Sequence, residues 1–495
     1  LQPINLLLII AMVALGIVFG AIPGLSATLG IALLLPVTFG LSTETSFVLL
    51  LAIWIGGVSG TFISAVLIGI PGSSSAIATC FDGFPMTKNG QAGKALGIGM
   101  TASFIGTVGS VALATVLSPV IAEFALHLGP WEYFSLCFCA ITLVASLSKG
   151  NIFKGIMAAG IGLLMGCIGM DPINGATRFT FGNTYLSGGI STVAQMLGMF
   201  AMCQIIRDSA RGEAKMPDAN VGNMKGLGVS FKDIIENIKT IAFAFASGLW
   251  IGFLPGMGSG ISNMVAYGYA KSISKDPDSF GKGNPAGVWA SETANNASLG
   301  GALIPMLTLA VPGDAVTAII LSVFYVHGLQ PGPLFITQNK ESFYSIVVAG
   351  IIACFALLLL GLIVAPRICK VITIPKNIMI PVVTSLCVIG SFACNNRLFD
   401  VGLMFFFGLM GFMMRRFDYP VAPLILAMVL GKMMDSNFRQ AVSLASSSDN
   451  PFMAMFGHPI TIVLSICTLF VLLGNIPWTK PYIDKVKGIF SRKTA

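Results

Sequence analysis

Four Pro-Gly pairs, each set in an apolar run and followed by small or polar residues, are where this sequence could do chemistry. They are Pro23-Gly24, Pro71-Gly72, Pro255-Gly256 and Pro312-Gly313. Proline removes a backbone donor and glycine admits positive φ, so a helix should stop at each. In a bilayer such a stop is tolerated only where protein or water satisfies the freed backbone groups, which makes each pair a candidate wall of a binding site. A half-helix starting after a break presents free N–H groups and a positive dipole end. That suits an anion, a carboxylate above all, without burying a lysine or arginine. The residues just after the breaks fit: Ser26 and Thr28, then Ser73, Ser74 and Ser75, then Gly258, Ser259 and Ser262, then Asp314 and Thr317. Hydroxyls bond carboxylate oxygens, and oxygen ligands suit a hard cation such as sodium. The competing reading is helix capping by Ser, Thr and Asp.

Asp314 follows a break inside an apolar run, and an acid at such a place is a functional candidate by default. It could coordinate a cation, carry a proton or cap a half-helix. Glu292, Asn295 and Asn296 cluster just before the run at 301–313; Glu292 and Asn296, four apart, would share a helical face. They could complete an ion or substrate site, or simply hydrogen-bond between helices.

Other chemistry is poorly supported. Gly256-Met-Gly258-Ser-Gly260 has the outline of a dinucleotide loop, but no strand precedes it. There is no phosphate-binding G-x-x-x-x-G-K-[ST] motif, so any transport is secondary or energised by another subunit. Three histidines and ten scattered cysteines, with no C-x-x-C, give no metal cluster. An intramembrane aspartyl enzyme would need two facing acids, such as Asp314 with Asp171 or Asp435. That enzyme and an anion channel are the alternatives to a transporter.

The elements that must position these residues are membrane helices. Of 495 residues, 55% are hydrophobic and 10% charged, against roughly 25% charged in soluble domains. Apolar runs of roughly 18 residues or more recur end to end, which predicts an all-α, polytopic transmembrane bundle of about twelve spans plus broken segments. The net charge of +8 sits in short loops and a basic tail (Lys480, Lys485, Lys487, Arg492, Lys493), as cytoplasmic loops require; it does not signal nucleic acid. The opening run lacks a charged n-region and a recognisable cleavage site, so it reads as a first membrane helix.

The halves repeat. GIVFGAIPG (16–24) aligns with GLWIGFLPG (248–256), an offset of 232 from Pro23 to Pro255. GTFISAVLIGIPGSSSAI (60–77) aligns with GALIPMLTLAVPGDAVTA (301–318), an offset of 241 from Pro71 to Pro312. Paired interrupted segments in corresponding halves point to a transporter site near the midplane. The expected divisions are a first repeat half (1–206), a polar connecting segment (207–239), the core of a second half (240–340), and C-terminal helices with the basic tail (341–495).

These motifs resemble the large membrane subunit of the tripartite tricarboxylate transporter family. The matching stretches are 20–41, 69–96 (GIPGSSSAIATCFDGFPMTKNGQAGKAL), 252–283, 292–319 (ETANNASLGGALIPMLTLAVPGDAVTAI) and 327–335, with a weaker match at 419–445. The resemblance implies a bacterial inner-membrane, cation-driven importer of small carboxylates. It also implies two partners, a small four-helix membrane subunit and a periplasmic solute-binding protein. Inverted repeats and an elevator-like division into scaffold and transport parts come with it. Family motifs map onto Pro71, Gly72, Pro312, Gly313, Asp314, Asn295 and Asn296. One departure is Ala310, where glycine is expected. The resulting expectation is a carboxylate bound at the breaks, with sodium near Asp314, Asn295, Asn296 and Glu292.

Overall fold

The computed structural model describes residues 3–23, 25–147, 152–171, 173–211, 228–364 and 376–475. Gly24, residues 212–227 of the polar connecting segment and the basic tail lie outside the described residues. The described chain is built of helices, with one two-stranded hairpin. Among the described residues, six helices are long and apolar enough to cross a membrane, joined by shorter apolar ones.

In chain order the helices begin with α1 (Pro3–Ala21), α2 (Ala27–Leu34), α3 (Thr43–Ile68), α4 (Ile77–Lys88) and α5 (Ala92–Ala125). They continue with α6 (Pro130–Leu147), α7 (Ile152–Gly166), α8 (Thr192–Met196), α9 (Cys203–Arg211), α10 (Phe231–Glu236), α11 (Ile238–Phe253) and α12 (Gly258–Ile273). The last are α13 (Pro285–Leu309), α14 (Ala315–Val326), α15 (Pro333–Gln338), α16 (Lys340–Val364), α17 (Lys376–Asn395), α18 (Leu398–Arg416), α19 (Val421–Ser446), α20 (Pro451–Phe456) and α21 (Pro459–Asn475). Two compact units cut across the divisions expected along the chain. One comprises 1–126 with 193–412, the other 127–192 with 413–495.

The larger unit carries all four breaks. Its core pairs are α1 with α3 and α11 with α13. Both pairs depend on bare backbone. A methyl group on Gly20 would strike the Gly57 carbonyl, and one on Gly252 the Ser298 carbonyl. α3 and α13 are buried along nearly their whole length, so neither has the exposed polar face of an amphipathic surface helix.

The breaks form where proline and glycine dictate. α3 ends at Gly69 in the left-handed region (φ 69°), two residues before Pro71. α13 ends at Ala310, also left-handed (φ 56°), two residues before Pro312. The offset of 241 carries Gly69 onto Ala310, so the two halves stop their long helices with the same backbone turn.

The polar stretch Phe81–Lys94 is not a loop: α4 runs through it to Lys88 and α5 starts at Ala92. Asp82 is fully buried, as is Thr79 just ahead of the stretch, while Lys88, Asn89 and Gln91 are exposed. Helix α7 ends at Gly166, and the chain turns into a hairpin pairing Gly169 with Arg178 and Met170 with Thr177.

In the smaller unit that hairpin is tied to α19. Arg439 and Arg178 flank Asp171, and Arg178 Nη2 lies 2.8 Å from Asp435 Oδ2. The Ile173 backbone N–H (2.9 Å) is the main influence holding the Asp171 carboxyl below the ordinary aspartate range; burial opposes it, and the two arginines add to the lowering. Asp171 and Asp435, the acids weighed for an aspartyl enzyme, are thus engaged with guanidinium groups.

The left-handed stops give a stability test. Gly69→Ala adds left-handed strain of about 1–2 kcal/mol and pushes a methyl within 2.7 Å of the Phe84 ring. It should lower the thermal unfolding midpoint of the purified chain in detergent. Ala310→Gly should shift it far less, because relieved strain and a lost buried methyl offset each other.

Candidate functional site

Backbone contacts hold the broken segments within each half. In the first half the Gly72 N–H donates to the Thr61 carbonyl of α3 (3.2 Å), and Gly72 lies so close to the Gly20 carbonyl of α1 that no side chain would fit. In the second half Gly313 lies in the same way on the Gly252 carbonyl of α11, against Ala302 of α13. The Gly256 N–H closes the pair by donating to the Gly313 carbonyl (2.7 Å). The repeat offsets carry Gly20 onto Gly252, Gly72 onto Gly313 and Thr61 onto Ala302, so this is one construction used twice.

The two constructions meet. Asn263 of α12 donates from Nδ2 to the carbonyls of Ser74 (3.2 Å) and Ser75. Gly260 faces Ser74: a Cβ there would lie 3.1 Å from Ser74 Oγ. Gly258 faces Asp314, with a Cβ 3.2 Å from the aspartate's own. Ser74, Ser259, Gly258 and Asp314 are thereby gathered around the first turn of α12. Ser74 and Gly256 are exposed; Pro71, Ser73, Ser259 and Asp314 are half-buried.

Three of the hydroxyls at the breaks, with Asp314, also cap. Ser26 accepts from the Leu29 N–H (3.2 Å) at the start of α2. Ser73 accepts from the Ser75 N–H (3.3 Å). Asp314 and Thr317 form a reciprocal capping box at α14, with bonds of 2.8 and 2.9 Å. Helix α12 is different: Met257 stands at its cap position and no side chain bonds its first turn.

Glu292, Asn295 and Asn296 are brought together, but inside α13 and away from solvent. All three are fully buried. Asn296 Oδ1 accepts from Ser59 of α3 (2.6 Å) and Thr107 of α5 (3.2 Å), while its Nδ2 donates to Ser103 (2.9 Å). Glu292 accepts from Thr79 of α4 through Oε1 and from Asn295 through Oε2 (3.2 Å). The trio stitches four helices by hydrogen bonds, and among the described residues none of these bonds links it to Asp314. Among the described residues no group of three or more His, Cys, Asp or Glu side chains could hold a metal.

Sequence comparison decides the family. The profile of the TctA family, described as tripartite tricarboxylate transporter, matches residues 6–426. The chain belongs to the TctA family. A relative from Agrobacterium vitis, described as an uncharacterized 52.8 kDa protein in the TAR-I ttuC' 3' region, is 32% identical over 98% of this chain and 96% of its own length. A second A. vitis protein, described as uncharacterized and in the TAR-II ttuC' 3' region, is 32% identical over 46% of this chain and 95% of its own. No solved structure matches. The chain is thus a multi-pass membrane protein of a transporter family whose systems have three parts.

In this TctA chain the sequence reading missed the groups that fasten the breaks. Asn263, Ser59, Thr79, Ser103 and Thr107 lie singly in apolar helices, where nothing in their spacing marks them. Asp82 is the largest omission. It is fully buried, and its Oδ1 accepts from the backbone N–H groups of Gly281 (2.8 Å), Gly283 (2.9 Å) and Asn284 (2.8 Å), just ahead of α13. The side chains of Lys275, Asp276, Asp278 and Lys282 are exposed as expected of a solvated loop, yet the backbone that follows is pinned by α4.

Removing that acceptor should be costly. Asp82→Ala strands three donors and is expected to destabilise by roughly 2–3 kcal/mol, with faster hydrogen exchange at 281–284. Asp82→Asn, which keeps an acceptor oxygen, should lose less. Unchanged exchange in Asp82→Ala would contradict the pinning role.

Proposed function

We propose that this chain is the large membrane subunit of a secondary importer that takes up small di- and tricarboxylates, driven by a cation gradient with sodium as coupling ion. The observation that carries the carboxylate site is the open start of α12. By the repeat offset its Gly258 corresponds to Ser26, which caps α2; glycine has no side chain to cap with. The first N–H groups of a helix have no partner inside it. Here they lie beside the exposed Ser74 and half-buried Ser73 and Ser259, with no basic residue among them. Carboxylate oxygens bound there would take up those donors and gain from the helix dipole.

The cation has two oxygen sets within reach of this reading. Asp314 lies across from Gly258 at the breaks, and the Glu292–Asn295–Asn296 network lies buried in α13. A cation beside Asp314 would offset the repulsion between that acid and a bound carboxylate, which is a physical reason for coupling. In the same reading a periplasmic solute-binding protein delivers the substrate and a small four-helix subunit accompanies this chain in the bacterial inner membrane. The two halves are inverted repeats, and the broken helices move together against a scaffold.

The test is uptake of a radiolabelled carboxylate panel into proteoliposomes holding this chain and its partner subunits, with and without an inward sodium gradient. Sodium-dependent accumulation is expected. Ser74→Ala should raise KM roughly tenfold, as loss of one hydrogen bond to a charged ligand does, and Asp314→Ala should abolish the sodium dependence. Accumulation untouched by both changes would place the site elsewhere; ohmic currents without accumulation would make the chain an anion channel.

A further inference from the structure

We propose a sodium site at the first-half break, formed by the main-chain carbonyls of Ser74 and Ser75, the side-chain oxygen of Asn263, and the hydroxyls of Thr61 and Ser75. It rests on the cation-coupled reading above but uses none of the acids named there.

Ser75 is the hub of an oxygen cluster. Its hydroxyl lies 2.7 Å from Ser73 Oγ and 3.2 Å from Thr61 Oγ1. Its carbonyl and that of Ser74 both point at the side-chain amide of Asn263. Thr61, Ser75 and Asn263 are buried, and no lysine, arginine or histidine bonds any of them. Two carbonyls aimed at one point create a seat for positive charge, which the Asn263 NH2 group fills.

That arrangement leaves a polar atom in deficit. Asn263 Oδ1 is buried and has no hydrogen-bond partner, a defect that costs about 1–3 kcal/mol. Turning the amide over brings Oδ1 to the seat and carries the NH2 group to the partnerless side, an exchange favourable only with a cation at the seat. Three oxygens then face it, the Ser75 hydroxyl belongs to the same turn and is bonded to Thr61, and a cation supplies the charge the NH2 group gave up. All five donors are neutral. Such a set suits a monovalent hard ion; divalent ions recruit carboxylates or keep their water.

The repeat shows that the fold does not need this polarity. The counterparts of Thr61, Ser74, Ser75 and Asn263 at the other break are Ala302, Ala315, Val316 and Ile31. Helix α2 packs against α14 there, as α12 packs against the Ser74 turn and α4. The same junction is thus built once from apolar residues and once from buried oxygens. Buried polar groups are costlier than apolar ones of like size, so the polar copy has a task beyond packing. Filling the seat would also fix Ser74 beside the open start of α12, so sodium would bind before the carboxylate.

The experiment is sodium binding to the purified full-length chain, read as the shift of its unfolding midpoint with sodium chloride against choline chloride. Wild type, Asn263→Ala, Asn263→Asp and Asp314→Asn are compared, with gel filtration as the check on folding. The expected result is a sodium-specific shift in wild type. The half-saturating sodium concentration should rise at least tenfold in Asn263→Ala, and should be retained or improved in Asn263→Asp, which keeps an oxygen at the seat. An unchanged sodium response in Asn263→Ala overturns the site while leaving sodium coupling standing, and so does an equal loss in folded Asn263→Ala and Asn263→Asp. A shift lost only in Asp314→Asn assigns the ion to that acid and overturns this one. No sodium-specific shift in wild type removes the sodium reading and this site with it.

Discussion

The structure depends on one constraint: backbone groups freed by a broken helix inside an apolar core must find partners within the protein. Glycine makes this possible by letting main chains touch. With no side chain on Gly72, its N–H reaches the Thr61 carbonyl while its α-carbon rests on the Gly20 carbonyl. With none on Gly313, its carbonyl accepts from Gly256 while its α-carbon rests on the carbonyl of Gly252. The prolines create the demand and the glycines meet it at short range. What remains for side chains is to cap, to stitch and to bind.

Much of this was legible in the sequence because it depends on residue types with few backbone options. Pro-Gly in an apolar run can do little but end a helix, and a repeat of that signal in both halves marked where the long helices α3 and α13 stop. The all-helical architecture followed from composition in the same way. The division of labour between the acids was not legible. Asp314 and Glu292 look alike as acids in apolar runs, yet one is half-exposed in a capping box and the other fully buried among amides and hydroxyls. Burial of that kind is decided by which helices pack against α13, and spacing along one chain does not encode it. Asp82 was illegible for a related reason: its partners are backbone N–H groups about two hundred residues away, which carry no side-chain signature.

The repeat also separates what the fold needs from what the site needs. Positions that agree between the halves, such as Gly20 with Gly252 and Gly72 with Gly313, meet the backbone constraint. Positions that differ change the chemistry, and at Gly258 (φ 54°) against Ser26 (φ -156°) the backbone as well. Ser26 against Gly258 closes one helix start and opens the other. Asn263 against Ile31 places a buried amide at one junction and a hydrocarbon at the other. Ala310 and Gly69 both adopt the left-handed turn, and the side chain alone changes.

The fastening of α4 bears on how such a site could move. α4 follows the first-half break but is bonded to the second half, through Asp82 to the 281–284 backbone, Thr79 to Ser291 and Glu292, and Asn89 to the Lys282 carbonyl. Pulling α4 from α13 would break all of these at once and expose a buried carboxyl, at several kcal/mol by the usual worth of such bonds. Carrying α4 along breaks none of them. The lower-energy motion therefore keeps α4, the Ser73–Ser75 turn and α13 together. Asn263 adds α12 to that body through the same turn. A substrate held between the Ser74 turn and the start of α12 would then keep its contacts while the body shifts, which is what a carrier requires and a simple pore does not.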